Sequence, residues 1–277
     1  MGEARRRSRS RAEVLSLEER CVYCSGVPET LEHMPPRAMF RGKYRPSGLE
    51  FGCCRACNEG TSAADLVASF FSRVAKSDDD PKWLLADALD FQHGLNRRAP
   101  RVLEEIYHGP RRNVSVRRPS GLIVRQVQVK VDGPATQAHL SVFGAKLGLA
   151  LWREHVGAPL PLDGWVTVNS FLNAGLNDAQ ASSILSVLPG AGELRQGQSV
   201  FNEQFAYRYN SDLKTILAAL VGFHGNLHFF VMAFSDPRFL DVARFNAGAA
   251  TLRPGQLISH LAPCVYHQEG VQESSRG

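Results

Sequence analysis

CVYCSGVPETLEHMPPRAMFRGKYRPSGLEFGCCRACN, residues 21–58, is the stretch on which the reading of this chain turns. It opens on the knuckle Cys21-Val-Tyr-Cys24 and closes on a second, Cys54-Arg-Ala-Cys57, followed at once by Asn58. Thiolates are soft ligands suited to tetrahedral zinc, and four of them in two matched pairs make a closed, structural site that contributes folding energy. Between the knuckles lies Glu32-His33-Met-Pro-Pro36, whose consecutive prolines hold the backbone extended just after His33 and place it at a strand end. Leu49 to Gly52 reads as a short strand returning to the second knuckle. One folded unit is therefore expected to hold zinc beside a poised histidine.

Outward from this stretch, five of the six cysteines fall between Cys21 and Cys57, which excludes a distributed disulfide framework and points to a reducing, cytoplasmic setting. Cys53 and Cys264 have no matched partner and read as small buried hydrophobes. An apolar fraction of 44% with 21% charged residues matches an ordinary globular protein. At about 150 residues per domain, 277 residues suggest two modest domains. A net charge of +5 favours an anionic partner without establishing one. The most apolar region, Ile216 to Phe234, is broken by His224, Gly225, Asn226 and His228, which argues for a buried hairpin and against a membrane span.

Residues 1–13 carry Arg5, Arg6, Arg7, Arg9 and Arg11 among serines, a composition suited to a flexible arm that can neutralise phosphates. After Asn58, Ser62-Ala-Ala-Asp65 has capping-box spacing and opens a helix burying Leu66, Val67, Phe70, Phe71 and Val74. Asp80-Pro81 starts a second helix, carrying Trp83, Leu84, Ala88 and Phe91 and stopping at Gly94. Pro100 starts a third that ends at Gly109. Arg97, Arg98, Arg101, Arg111, Arg112, Arg117 and Arg118 read as a dispersed solvated surface, with convergence into a phosphate-binding track as the alternative. Ile123 to Val131 alternates as a half-buried strand with Val127, Val129 and Val131 inward. A helix follows over Ala135 to Val156, a strand over Trp165 to Phe171, a helix over Asp178 to Val187 and a strand over Gln204 to Tyr209. Thr215 to Phe223 and Leu227 to Phe234 then pair about the turn His224-Gly225-Asn226. His224 and His228 read as hairpin residues, since metal-like spacing would need a helix there. No Gly-rich phosphate loop stands after a strand, so no nucleotide cofactor is expected.

Cys21-Val-Tyr-Cys24, Glu32-His33-Met-Pro-Pro36 and Cys54-Arg-Ala-Cys57-Asn58 together resemble a zinc-braced HNH endonuclease, in the layout also seen in phage Holliday-junction resolvases. The likeness covers about Cys21 to Val74. It implies an α+β chain with an N-terminal ββα-metal finger: a hairpin presenting the catalytic histidine, a loop, and a helix, with a divalent ion between hairpin and helix start. It further implies metal-dependent hydrolysis of phosphodiester bonds, with DNA as the expected substrate. In that chemistry His33 takes the attacking water's proton, while Glu32 and Asn58 offer hard oxygen ligands to Mg²⁺ or Mn²⁺ beside the structural zinc. Arg5, Arg6, Arg7, Arg41, Lys43, Arg45 and Arg55 are the candidate nucleic-acid contacts. The family's middle asparagine is missing, since Ser47, Gly48, Leu49 and Glu50 fill its stretch; Ser47 or the backbone alone is left to brace the loop. The alternative is a non-catalytic zinc-stabilised module that binds nucleic acid or protein.

The expected organisation is a basic arm (1–13), the zinc domain (14–78), a helical connector (79–109), an α+β accessory domain (110–250) and a C-terminal tail (251–277). The accessory half offers no nucleophile motif, paired carboxylates or phosphate loop, so it is expected to regulate or target, through a partner or an oligomer contact, rather than catalyse.

Overall fold

The computed structural model describes residues 10–41, 45, 48–74, 81–117, 120–172, 178–186, 195–202, 204–239 and 249–265. Arg5, Arg6, Arg7, Lys43, Ser47 and Arg118, with the expected basic arm, lie outside them, apart from residues 10–13 of that arm. The chain is α+β. A short helix, α1 (Arg11–Ser16), precedes the hairpin of β1 (Thr30–His33) and β2 (Glu50–Cys53), and α2 (Arg55–Gly60) and α3 (Ser62–Val74) follow it. Next come α4 (Pro81–Arg98), α5 (Pro100–His108), the paired strands β3 (Arg111–Arg117) and β4 (Ile123–Val129), and the long helix α6 (Pro134–Val156). The remainder builds a sheet from β5 (Trp165–Leu172), β6 (Arg195–Asn202), β7 (Phe205–Ser211), β8 (Ile216–Phe223), β9 (Leu227–Phe234) and β10 (Ala250–Leu252). Helix α7 (Asp178–Ser186) lies between β5 and β6, and α8 (Leu257–Val265) follows β10.

Helix α6 is the centre of the molecule, with sixteen buried residues from Ala135 to Trp152. Its limits are local chemistry: Pro134 in the first turn and Gly157 at φ 90° as the left-handed cap. Its orphan first-turn donors are met from outside the helix, since the Ala135 and Thr136 amides donate to the Glu105 carboxylate of α5 at 2.7 and 2.9 Å. Gly144 and Gly148, one turn apart, let the helix lie directly on β5. A Cβ at either would come within 2.2 Å of Val168 Cγ1 or 2.6 Å of Val166 Cγ1.

The sheet runs β10-β5-β9-β8-β7-β6, antiparallel throughout. Strands β8 and β9 are buried on both faces. Leu217, Val221, Phe223 and Phe229 join the core around α6, while Ile216, Leu220, Phe230 and Met232 form a second cluster with Trp165 and Ile184 of α7. Burial on two faces is why residues 216–234 read as one apolar run rather than an alternating pattern. Among the described residues no helix is long and apolar enough to cross a membrane. The β8–β9 turn is the one expected, with His224 and Gly225 at φ 52° and 64° between Phe223 and its partner Leu227.

Several expectations are corrected. One continuous core runs from Cys21 to Leu261, so it crosses the boundary expected at residue 78. The supposed C-terminal tail supplies β10 and α8, whose Leu252, Leu257 and Leu261 are buried. Helix α4 does not stop at Gly94, because that glycine is where α4 meets α3: a Cβ there would stand 3.1 Å from Leu66 Cδ2. Residues 111–117, to which the sequence assigns no element, form a strand, and its partner β4 is not half-buried, with Val127 61% exposed.

Candidate zinc centre and the buried cation beside it

The Sγ atoms of Cys21, Cys24, Cys54 and Cys57 all lie within 4.8 Å of one another, and all four cysteines are free of disulfides. The hairpin β1–β2 brings the knuckles together by pairing Thr30 with Cys53 and His33 with Glu50. Each knuckle turns its backbone amides onto sulfur: Tyr23 N donates to Cys21 Sγ at 3.3 Å, Gly26 N to Cys24 Sγ at 3.2 Å and Cys57 N to Cys54 Sγ at 3.4 Å. Donors aimed at sulfur favour the thiolate form that a metal needs. The neighbouring Cys53 and Cys57 thiols hold Cys21 low, whereas burial pushes Cys24 up to about 11. Four clustered thiols cannot all ionise together without a central cation, and a tetrahedral zinc ion fits this donor set. Cys53 is buried and its Sγ lies 3.8 Å from Cys21 Sγ, behind the cluster and outside the ligand set.

On β1, alternation sends Thr30 and Glu32 to one face of the hairpin and Leu31 and His33 to the other. Glu32 faces inward, where Lys146 Nζ from the middle of α6 lies 3.0 Å from Glu32 Oε1. The same ammonium reaches both Asp65 carboxylate oxygens at 2.7 Å and stands 5.5 Å from the centroid of the Tyr23 ring. Tyr23 in turn donates its hydroxyl to Glu32 Oε1 at 3.3 Å. The Lys146 side chain is 0% exposed and that of Glu32 5%. Burial alone would neutralise the lysine, but Asp65 and Glu32 hold it charged and raise its pKa. Burial pushes Asp65 up to about 6, which the Lys146 charge offsets only in part. Asp65, expected as a helix cap, is thus an ion-pair partner, and Lys146 and Tyr23 carried no local signal.

His33 sits on the other face with its side chain 28% exposed. Its Nδ1 lies 3.4 Å from Glu50 Oε1 without completing a hydrogen bond. Burial first, and Arg45 second, lower its pKa against the pull of Glu50, so the ring is neutral at pH 7. Asn58, on α2, donates its side-chain amide to Thr30 Oγ1 at 3.0 Å.

Of the expected nucleic-acid contacts inside the described residues, Arg55 is exposed. Arg45 is not: its side chain is 6% exposed and it clasps the loop between β1 and β2, donating to the carbonyls of Pro35, Gly48 and Leu49 at 2.8–2.9 Å. An arginine from within the loop therefore does the bracing for which no asparagine was present. Arg41 is half-buried, donating from Nη2 to Arg73 O at 3.0 Å and from its backbone amide to Gln204 Oε1 at 2.8 Å.

The C-terminal half grips the finger at further points. His224 Nε2 meets Met39 O at 2.7 Å, Asn226 Nδ2 donates to Phe71 O at 3.2 Å, and Arg153 Nε donates to Glu18 Oε2 at 2.9 Å. Fold and site together define an α+β protein with a four-cysteine cluster, able to hold a metal ion, fused to its main core. Compared with known proteins, the chain matches no family model, no curated protein and no solved structure.

Proposed function

We propose that this chain is a zinc-stabilised module that binds nucleic acid without cutting it. The observation that carries this reading is the pairing of Lys146 with Glu32. A catalytic Mg²⁺ or Mn²⁺ keeps several waters and octahedral geometry. The carboxylate meant for it is buried, already neutralised by a fully buried ammonium, and shared with a tyrosine hydroxyl. A second cation beside Lys146 would meet like-charge repulsion. These residues do not fit a catalytic divalent ion, whereas the four cysteines fit zinc. The net charge of +5 and the nuclease-like finger layout favour nucleic acid as the anionic partner.

Hydrolysis is the second reading, favoured by one observation: a neutral, part-exposed His33 beside Glu50 is equipped to accept a proton. The two are separated by incubating purified protein with plasmid, single-stranded DNA and RNA, with and without Mg²⁺ or Mn²⁺. Retarded but intact nucleic acid is expected. Metal-dependent nicking that disappears in His33→Ala would overturn the binding-only reading and establish the nuclease.

A further inference from the structure

The two-stranded sheet β3–β4 packs on no other element to any extent comparable with its own pairing, and its surface is almost all solvent-facing. Residues 110–131, which contain it, carry six basic residues, Arg111, Arg112, Arg117, Arg118, Arg125 and Lys130, and no acidic one. Four of the six, Arg111, Arg112, Arg117 and Arg125, lie on β3 and β4 themselves.

The register sorts the side chains. Arg117 lies opposite Ile123, Ser115 opposite Arg125, Asn113 opposite Val127 and Arg111 opposite Val129, and directly opposed residues share a face. One face therefore presents Arg117 and Arg125 as diagonal neighbours, with Asn113 and Ser115 beside them, all exposed. Arg111 and Lys130 fasten the root, through Tyr107 O at 2.7 Å and Asp132 at 2.5 Å. Among the described residues, Arg117 and Arg125 have no such partner. Ile123 and Val127, on either side of Arg125 along β4, stand 66% and 61% exposed, an apolar surface that a bare ribbon leaves wet.

We propose that the β3–β4 ribbon is a duplex-DNA-binding arm, its Arg117/Arg125 face entering the major groove. The proposal rests on the nucleic-acid reading above and names the surface and the duplex. Two strands about 4.8 Å apart fit a groove about 12 Å wide, and seven residues span roughly 24 Å along it. Arginines meet phosphates and guanine edges, the asparagine and serine add hydrogen bonds, and the exposed apolar side chains suit thymine methyl groups. The major groove of duplex RNA is too deep and narrow for such a ribbon, which is what commits the proposal to DNA.

The test measures anisotropy of a labelled 20-base-pair DNA duplex with the full zinc-loaded chain, over a salt series, for the parent and for Arg117→Gln/Arg125→Gln. Duplex RNA of the same sequence and phosphatidylserine vesicles serve as comparison arms. Zinc content and melting temperature of the variant, measured alongside, keep folding separate from binding. The parent should prefer duplex DNA. The variant should bind it about tenfold more weakly, with the slope of log affinity against log salt reduced by about 1.8, the loss of two phosphate contacts. A parent that binds DNA while the folded variant keeps its affinity and slope overturns the ribbon and leaves the binding reading standing. Equal or tighter binding to duplex RNA overturns the major-groove assignment. Binding to vesicles alone, or to none of the three, overturns both.

Discussion

Replacing Lys146 by methionine removes the charge that holds together two carboxylates lying within 3.0 Å of its nitrogen. Methionine fills most of the same volume, so the loss is electrostatic rather than a cavity. Breaking a buried pair by deleting one partner costs about 3–5 kcal/mol, because the remaining charges stay desolvated. About 4 kcal/mol over a urea slope of about 2.5 kcal/mol/M lowers the midpoint by about 1.6 M. The pH dependence follows from the sign of the shift. Burial holds the Asp65 folded pKa above its unfolded one, and without the ammonium nothing offsets that rise, so stability is lost as pH rises from the unfolded carboxylate range through the raised value. The variant should therefore lose more stability at pH 7.5 than at pH 5.5, by urea unfolding followed through tryptophan fluorescence. Millimolar Mn²⁺ should also raise the midpoint of Lys146→Ala and leave the parent unmoved, since the vacated position faces two carboxylates. A variant within about 1 kcal/mol of the parent at pH 7.5, or one equally weakened at both pH values, would refute the reasoning.

Three other outcomes are expected. Folded protein should contain one zinc per chain by elemental analysis; Cys54→Ser should lose the metal and the finger's fold, while Cys264→Ser keeps both. Gly144→Ala should destabilise by about 1–3 kcal/mol by overpacking against Val168, and pairing it with Val168→Ala should recover part of the loss in thermal melts. Stability should fall as pH drops through 6.5, because burial lowers the pKa values of His33, His139, His228 and His260 and the unfolded chain takes up those protons first. Asp65, raised to about 6, works in the opposite direction between about pH 6 and 3.8, so the acid limb of the parent should be shallower than four histidines alone would give, as an unfolding series in pH will report.

What could be read from the chain was what is encoded within a few residues. The knuckle spacing, the span of α6 between Pro134 and Gly157 and the turn at His224-Gly225-Asn226 each follow from local caps, turns and ligand types. What escaped depends on distant partners. Glu32 and Asp65 looked like a metal ligand and a helix cap because their common partner, Lys146, lies on another element far along the chain. Inside a helix whose neighbours are all apolar, one lysine reads as a solvated residue. Arg45 shows the same limit, since a loop arginine is indistinguishable from a phosphate contact until its carbonyl acceptors are in place. The β3–β4 ribbon failed for another reason. Alternation in β4 signals a strand with two unlike faces, but not that anything will cover the apolar one.

The docking of the β8–β9 turn on the finger has a bearing on how the chain is made. Phe71 leaves the ribosome before Asn226, whose amide closes on its carbonyl, and at about 5–20 residues per second the interval is roughly eight to thirty seconds. Helix α6, residues 134–156, is made about midway through that time, but β9, residues 227–234, is not, so the side of α3 that meets β9 stays uncovered to its end. The carbonyl of Phe71 and the hairpin turn that closes on it are thus made far apart in time, and the N-terminal unit reaches its final packing only when the last strands are complete.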